Sequence, residues 1–247
     1  MPNNYFQFKQ FIILQGNCAM KVTTDGCLFG AWTASAISQL SAVNSILDIG
    51  TGTGLLSLMI AQKSNATIKA VEIDEPAATQ AQHNFAASPW ANRLQVYNTS
   101  IQQFTQQPTK QFDFIITNPP FFENDLKSHN ANRNTALHSS VLSFGELLGA
   151  IQKLLLPSGK FAILLPFHRL DFFVGLAVNA GFYLHQKTLV KQTPKHLNFR
   201  AILLFGYEVK SMQEKEIIIK AEDEYTADFS DLLKDYYLNE NYNKFPM

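Results

Sequence analysis

Residues 46–54 read Ile46-Leu47-Asp48-Ile49-Gly50-Thr51-Gly52-Thr53-Gly54, and the run Leu55, Leu56, Leu58, Met59, Ile60 follows. A short apolar strand enters a turn of three glycines, and a helix-like apolar run leaves it. Strand, glycine turn and helix together bring backbone N–H groups and a helix N-terminus close to a ligand. The spacing narrows the ligand. A dinucleotide fingerprint wants G-x-G-x-x-G, but position 55 is Leu, and the pattern is D-x-G-x-G-x-G. Asp48 sits inside the strand, where a carboxylate suits a cationic or zwitterionic ligand better than a pyrophosphate.

Outward from this turn, strands and helices alternate. The next strand, Thr67 to Asp74, ends in carboxylates. Glu72 lies about twenty residues beyond the glycines, where an acid can accept hydrogen bonds from both ribose hydroxyls. Asp74 or Glu75 caps the helix that Pro76 opens. A third strand, Leu94 to Asn98, leads to Ser100 and Ile101, which are placed to flank an adenine ring. Strands are expected near 46–49, 67–72, 94–98, 112–117, 160–165, 183–191 and 199–207. Helices are expected near 26–39, 54–63, 76–87, 143–155 and 168–180. Ser143 and Glu146 form a capping box, Pro157 is expected to stop that helix, and Gly181 can cap the last one. The pattern implies an α/β fold, Rossmann-like, with a mostly parallel seven-stranded sheet and helices on both faces. One domain spans 1–247: an N-terminal hairpin and helix in 1–45, a core in 46–207 and a C-terminal extension in 208–247.

A second motif follows the fourth strand. Residues 118–121 read Asn118-Pro119-Pro120-Phe121 after Phe112-Asp113-Phe114-Ile115-Ile116-Thr117. Asn118 offers a side-chain carbonyl, and Pro119 has no N–H, so the turn presents acceptors without a competing donor at that nitrogen. Phe121 offers an aromatic face. Two acceptors can hold the hydrogens of a planar –NH2 group and leave its lone pair aimed at an incoming carbon. Both motifs fall at the C-terminal ends of strands, where open α/β sheets bind ligands.

With these residues the chain resembles the class I S-adenosylmethionine-dependent methyltransferases. Asp48, Gly50, Gly52 and Gly54 match their first motif, Glu72 the second, and Asn118–Phe121 the amino-methyltransferase motif. The stretch Cys18-Ala19-Met20-Lys21-Val22-Thr23-Thr24-Asp25-Gly26-Cys27-Leu28-Phe29-Gly30-Ala31-Trp32 resembles the signature of the tRNA1(Val) (adenine(37)-N6)-methyltransferase family. The resemblance runs from Phe6 to about Tyr207. It implies S-adenosyl-L-methionine as cofactor, tRNA as partner and N6-methylation of adenine. By the same resemblance Lys21, Thr23, Thr24 and Asp25 lie over the methionine end of the cofactor. The cofactor would also meet Asp48, Gly50, Thr51, Gly52 and Gly54, then Glu72 and Ile73, Ser100 and Ile101, and Asn118. Asn118, Pro119, Pro120 and Phe121 would serve the reaction. Ser100 stands where many superfamily members carry Asp, and Leu137 where a basic residue is expected. N6-methylation of ribosomal RNA or DNA adenine, or N5-methylation of a protein glutamine, remains an alternative. The glutamine enzymes favour Tyr at the Phe121 position and usually add an N-terminal helical domain; only about 45 residues precede the first motif here.

Substrate contacts are expected from Phe121, Phe122, Arg133, His138, Lys187, Lys191, Lys195 and Arg200. The net charge of zero says little about a polyanionic partner, but its distribution says more. Residues 1–207 carry 15 Lys and Arg against 10 Asp and Glu, whereas 208–247 carry 5 against 10. No acid occurs from Phe172 to Tyr207, so this window is a candidate phosphate-facing surface. The polar segment 123–142 is a candidate lid. No basic-then-apolar leader and no run of 18 apolar residues occurs, so no membrane partner is expected. Cys18 and Cys27 form neither metal spacing nor a disulfide framework, so no metal and a cytoplasmic location are expected, and a monomer. The tail from 208 is expected to pack back on the sheet.

Overall fold

The computed structural model describes residues 4–18, 20–40, 42–107, 111–119 and 142–238. A hairpin of β1 (Tyr5–Gln7) and β2 (Ile12–Leu14) leads into α1 (Thr24–Ser38). The alternating core follows: β3 (Ser45–Ile49), α2 (Leu55–Lys63), β4 (Thr67–Glu72), α3 (Glu75–Ala86), β5 (Leu94–Asn98), α4 (Ile101–Phe104) and β6 (Phe112–Thr117). After the second motif come α5 (Phe144–Leu154), β7 (Leu155–Pro166), α6 (Leu170–Asn179), β8 (Tyr183–Lys191) and β9 (Asn198–Gly206). The extension adds β10 (Gln213–Ile218), the short pair β11 (Lys220–Ala221) and β12 (Glu224–Tyr225), and α7 (Ala227–Leu233).

The central sheet has the order β10-β8-β9-β7-β6-β3-β4-β5, and only β9 runs against the rest. The sheet is therefore mostly parallel with helices on both faces, as expected, but it has eight strands rather than seven. The eighth is β10, from the tail, which pairs in parallel with β8. Expectation missed it because its first four residues read Gln-Glu-Lys-Glu, which lacks an apolar alternation. α5 ends at Leu154, just ahead of Pro157, as expected. The strand is what differs: β7 begins at Leu155, five residues before the expected strand, and so includes Pro157.

Successive residues of the inner strands feed two separate cores. Ile46, Phe114, Ile116, Ala162, Leu164, Ile202 and Leu204 face the layer of α1, α2, α3 and α7. Leu47, Ile115, Phe161, Ile163, Leu165, Leu203 and Phe205 face α4, α5 and α6. This two-sided burial makes the strands near-continuous apolar runs. The glycines of the first turn thus emerge at the edge where both layers end. Capping follows the sequence: Asp74 accepts from Ala77 N, Ser143 and Glu146 complete their box, and Gly181 takes φ 78° after α6. Among the described residues no helix is long and apolar enough to cross a membrane.

Candidate active site at the C-terminal edge of the sheet

The glycine turn is pinned to its neighbour strand. The N–H groups of Gly50 and Thr51 both donate to the Val71 carbonyl, at 2.8 and 3.2 Å. Gly50, Gly52 and Gly54 have φ of 72°, 55° and 84°, the left-handed region that side chains disfavour. Their surroundings differ. A Cβ at Gly50 or Gly52 would meet nothing within 4 Å, whereas one at Gly54 would fall 2.5 Å from Phe85 Cε1. The first two glycines border open space, and the third permits α2 to pack on α3.

Asp48 is fully buried beneath this turn. Its Oδ2 accepts from the hydroxyls of Thr51, at 2.7 Å, and Ser57, at 2.8 Å. Its Oδ1 is buried without a partner among the described residues. Burial pushes the Asp48 carboxyl up to about 6; the two hydroxyls pull the other way, and the charge of Glu72 adds to the rise. Glu72, at the end of β4, is also buried. One of its oxygens accepts from Gly52 N at 2.8 Å and the other from Asp74 N at 3.0 Å. A carboxylate has about four acceptor sites, so capacity for two hydroxyl donors remains. Beside it Ile73 is 64% exposed, an apolar side chain held in water at the ligand edge. Ser100 caps α4, its Oγ accepting from Gln103 N at 3.2 Å, and Ile101 is buried beneath.

Strand β6 delivers the second motif to the same edge. Thr117 pairs with Ile49, and its hydroxyl donates to the Ile49 carbonyl at 2.9 Å. Asn118 therefore follows at the level of Gly50. The Oδ1 of Asn118 is buried and has no hydrogen-bond partner among the described residues, and Pro119 is buried next to it. Pro120, Phe121, Phe122, Arg133 and His138 lie outside the described residues, as does the candidate lid 123–142 apart from Leu142.

The N-terminal signature folds over this turn. Thr23 caps α1, with its Oγ1 accepting from Gly26 N at 3.2 Å. Gly26 faces Leu55, whose Cδ2 would lie 3.5 Å from an added Cβ, so the first turn of α1 packs where α2 begins. Burial raises the Cys18 thiol to about 11, and the charges of Glu72 and Asp74 add to the rise, which places that thiol near the acidic end of β4. Lys21 is exposed, and Thr24 and Asp25 are half-buried. Asp25 pairs with Arg200 of β9 at 2.7 Å, 175 positions away in sequence.

Asn84 is the site residue that sequence reasoning missed. Buried on α3, it donates to the carbonyls of Thr53, at 2.8 Å, and Leu14, at 2.9 Å, and accepts from Leu14 N at 2.9 Å. It ties the glycine turn to the N-terminal hairpin. A polar residue on the apolar stripe of Ala77, Ala81 and Phe85 was the available signal. Ser57, a hydroxyl amid the leucines of α2, is the partner of Asp48 that was likewise missed.

The expected phosphate track looks different in space. Lys187 pairs with Glu214 at 2.8 Å and Lys191 with Glu216 at 2.7 Å, both acids coming from β10. Arg200 is held by Asp25, and His185 is buried, its Nε2 2.7 Å from the Glu208 carbonyl. Of the four named cations Lys195 is the exposed one, at the β8–β9 hairpin tip. Trp32 is core, its Nε1 donating to Thr188 Oγ1 at 3.1 Å, and Phe29 is fully buried. Among the described residues no cluster of three His, Cys, Asp or Glu could hold a metal ion.

Comparison with known proteins identifies the fold and the family. Residues 33–144 match the model of the Methyltransferase small domain. In fold, the chain is similar to a predicted O-methyltransferase of Agrobacterium tumefaciens, with TM-score 0.63 and 13% identity over 85% of this chain and 95% of that one. It is also similar to the magnesium protoporphyrin IX methyltransferase of Synechocystis PCC 6803 solved with bound SAM, with TM-score 0.51 and 14% identity over 74% and 78%. At such identities the likeness concerns the fold alone. Sequence relatives reach much further. The tRNA1(Val) (adenine(37)-N6)-methyltransferase of Pseudoalteromonas translucida is 44% identical over 94% of this chain and 98% of its own length. That of Trichodesmium erythraeum is 41% identical over 96% and 99%. At that identity, over nearly the full length of both chains, this protein belongs to the tRNA1(Val) (adenine(37)-N6)-methyltransferase family.

Proposed function

We propose that this enzyme transfers a methyl group from S-adenosyl-L-methionine to the exocyclic N6 of adenine in tRNA, at adenine 37 beside the anticodon of tRNA1(Val). The residues fit that cofactor. The space over Gly50 and Gly52 would accept its methionine end, the unpartnered Oδ1 of Asp48 suits its ammonium group, and Glu72 suits ribose hydroxyls. Ile73, Ser100 and Ile101 would border its adenine, and Lys21, Thr23, Thr24 and Asp25 would cover it. When bound, S-adenosyl-L-methionine supplies a methyl carbon activated by sulfonium.

The observation that carries the reading is the buried Oδ1 of Asn118 at the edge of the sheet, unpartnered among the described residues. Leaving such an acceptor unmade costs about 1–3 kcal/mol, so a site that keeps one has a donor to receive. The N6 amino group is that donor. Asn118 Oδ1 accepts one of its hydrogens and the Pro119 carbonyl the other. Held so, the nitrogen keeps its lone pair directed at the methyl carbon. Such alignment supplies on the order of 7–11 kcal/mol in favourable systems. The two acceptors also favour the positive charge that grows on N6 as the bond forms. Phe121 stacks on the base in this reading. The proton leaves after transfer, and no side chain is assigned as its acceptor.

A base inside a duplex is out of reach, so the target must be unpaired or flipped. An anticodon-loop purine is single-stranded and meets that need. The whole chain acts as one unit, a monomer in the cytosol. The test is methyl transfer from labelled cofactor to unmodified total tRNA, followed by nucleoside mass analysis and mapping. N6-methyladenosine beside the anticodon of a valine tRNA is expected. Asn118→Ala should lower the rate by at least about 100-fold while cofactor affinity stays within a few-fold. Equal loss of both would refute the role of Asn118, and no incorporation into tRNA would redirect the search to ribosomal RNA, DNA or protein glutamine.

A further inference from the structure

One group of side chains at the ligand edge has no part in cofactor binding. Strand β7 ends at Pro166, and a tight turn, Phe167–Arg169, starts α6. The Arg169 guanidinium lies over two rings, 5.6 Å from the centroid of Phe172 and 5.9 Å from that of Phe144. The rings themselves are 6.3 Å apart. Phe172 nevertheless stays 56% exposed, and Phe167 and His168 are exposed beside it. An exposed phenylalanine backed by a guanidinium is a poor use of apolar surface in a monomer, and a good platform for a flat, anionic polymer.

A second element stands next to it. The hairpin tip between β8 and β9 is a tight turn in which His196 N donates to the Thr193 carbonyl at 3.1 Å. Thr193 Oγ1 also meets His196 Nδ1 at 2.7 Å. The tip displays Lys195 and Leu197, the latter 88% exposed. Because Pro166 pairs with Arg200, turn and tip rise from neighbouring strands, and β9 contacts the turn.

Position connects this surface to Asn118. Strand β6 pairs with β7 as far as Thr117 and Ile163, and Pro166 lies three residues beyond. At ~3.3 Å per residue and ~4.8 Å between strands, Pro166 stands about 11 Å from Thr117. That is the span of the nucleotides next to a base held at Asn118. One carboxylate, Asp171, lies in the first turn of α6; from Phe172 to Tyr207 there is none.

We infer that the Phe167–Arg169 turn, Phe172 and the hairpin tip form the docking surface for the single-stranded RNA that flanks the target adenine. The inference rests on the adenine reading above and moves the RNA path. The path runs over stacking rings and the tip rather than along the lysines of β8, whose charge β10 already meets. Single-stranded nucleic acid is held in this way, with bases stacked on aromatic faces and cations tracking the backbone.

The test uses the full chain, an unmodified transcript of the valine tRNA and steady-state methyl transfer. Phe172→Ala should raise KM for the transcript roughly five- to 150-fold, the usual worth of one stacking platform. Affinity for S-adenosylhomocysteine and the melting temperature should not move, since the ring is largely exposed. Phe172→Tyr, which keeps the stacking face, should restore KM. Lys195→Glu should flatten the dependence of log KM on log salt by about one phosphate contact. An active wild type with unchanged KM in Phe172→Ala would overturn the inference and leave the methyltransferase reading standing. Loss of a dimer in sedimentation, with tRNA KM unchanged, would also overturn it, in favour of a second copy as occupant. A wild type that binds cofactor yet methylates no RNA would overturn the reading on which the inference rests.

Discussion

Replacing the three glycines of the first turn one at a time should separate folding from ligand binding. All three occupy the left-handed region, so Ala at any of them costs about 1–2 kcal/mol of backbone strain. At Gly50 and Gly52 that is the whole structural cost, because an added Cβ meets nothing within 4 Å. At Gly54 the same methyl falls 2.5 Å from the Phe85 ring, which lies in the packed core with α2 on one side. Overpacking of this kind adds about 1–3 kcal/mol. For a domain of this size 1 kcal/mol shifts Tm by about 2–4 °C. Gly50→Ala and Gly52→Ala should therefore lower Tm by roughly 2–8 °C, and Gly54→Ala by roughly 4–20 °C. Binding of S-adenosylhomocysteine, followed by calorimetry at a temperature where all three variants are folded, should rank the opposite way. Gly50→Ala and Gly52→Ala put a methyl into the open space and should abolish measurable affinity, while folded Gly54→Ala keeps more of it. If Gly54→Ala melts no lower than Gly50→Ala, Phe85 is not the reason for that glycine. If Gly50→Ala and Gly52→Ala bind normally, the open space over them is not the cofactor site.

Asp48 and Asn84 give two further expectations. The folded Asp48 carboxyl titrates near 6, above its ordinary value of 3.8, so the folded state holds that proton more tightly than the unfolded chain. Its favourable contribution is complete below the unfolded value and is lost as pH rises through about 6. Asp48→Asn should accordingly stabilise the cofactor-free protein by about 2–3 kcal/mol at pH 8, where the charged carboxylate is buried, and by little at pH 4. Melting curves at the two values check this; an equal effect at both would mean that the buried charge is not what the substitution removes. Asn84→Ala leaves the Leu14 N–H and the Leu14 and Thr53 carbonyls without that partner, for a loss of about 2–4 kcal/mol in denaturant unfolding. A loss below about 0.5 kcal/mol would show that the hairpin and the glycine turn hold together without it.

Much of the frame was legible because the inner strands are buried on both faces. Their apolar runs, the glycines at 50, 52 and 54 and the Asn118-Pro119 turn all announce themselves locally. The capping signals of Asp74, Ser143 and Gly181 do so too, since a cap satisfies its own helix end. What escaped was set by partners distant in sequence. Asn84 looks like an ordinary helix residue until Leu14 and Thr53 are brought to it, 70 and 31 positions away. Pro157 reads correctly as a helix stop, but not as part of β7, because a proline near the start of a strand loses no ladder bond that matters.

Charge was the least legible property, for a physical reason. From Phe172 to Tyr207 the sequence carries one sign, and one sign suggests a surface for phosphates. Yet β8 takes a parallel neighbour from the acidic tail, and the register sets Glu214 directly opposite Lys187. Glu216 reaches Lys191 on the same side. The net positive core and net negative tail meet as a ladder of ion pairs at the sheet edge. Such half-exposed pairs contribute only about 0–1 kcal/mol each to stability. Their larger effect is on where a polyanion can lie, because each pair cancels the charge that would have drawn it there. The attraction that survives is concentrated where β8 and β10 have ended, at Lys195 on the hairpin tip. A tail that looked like an appendage in sequence thereby neutralises the lysines of the sheet edge it covers.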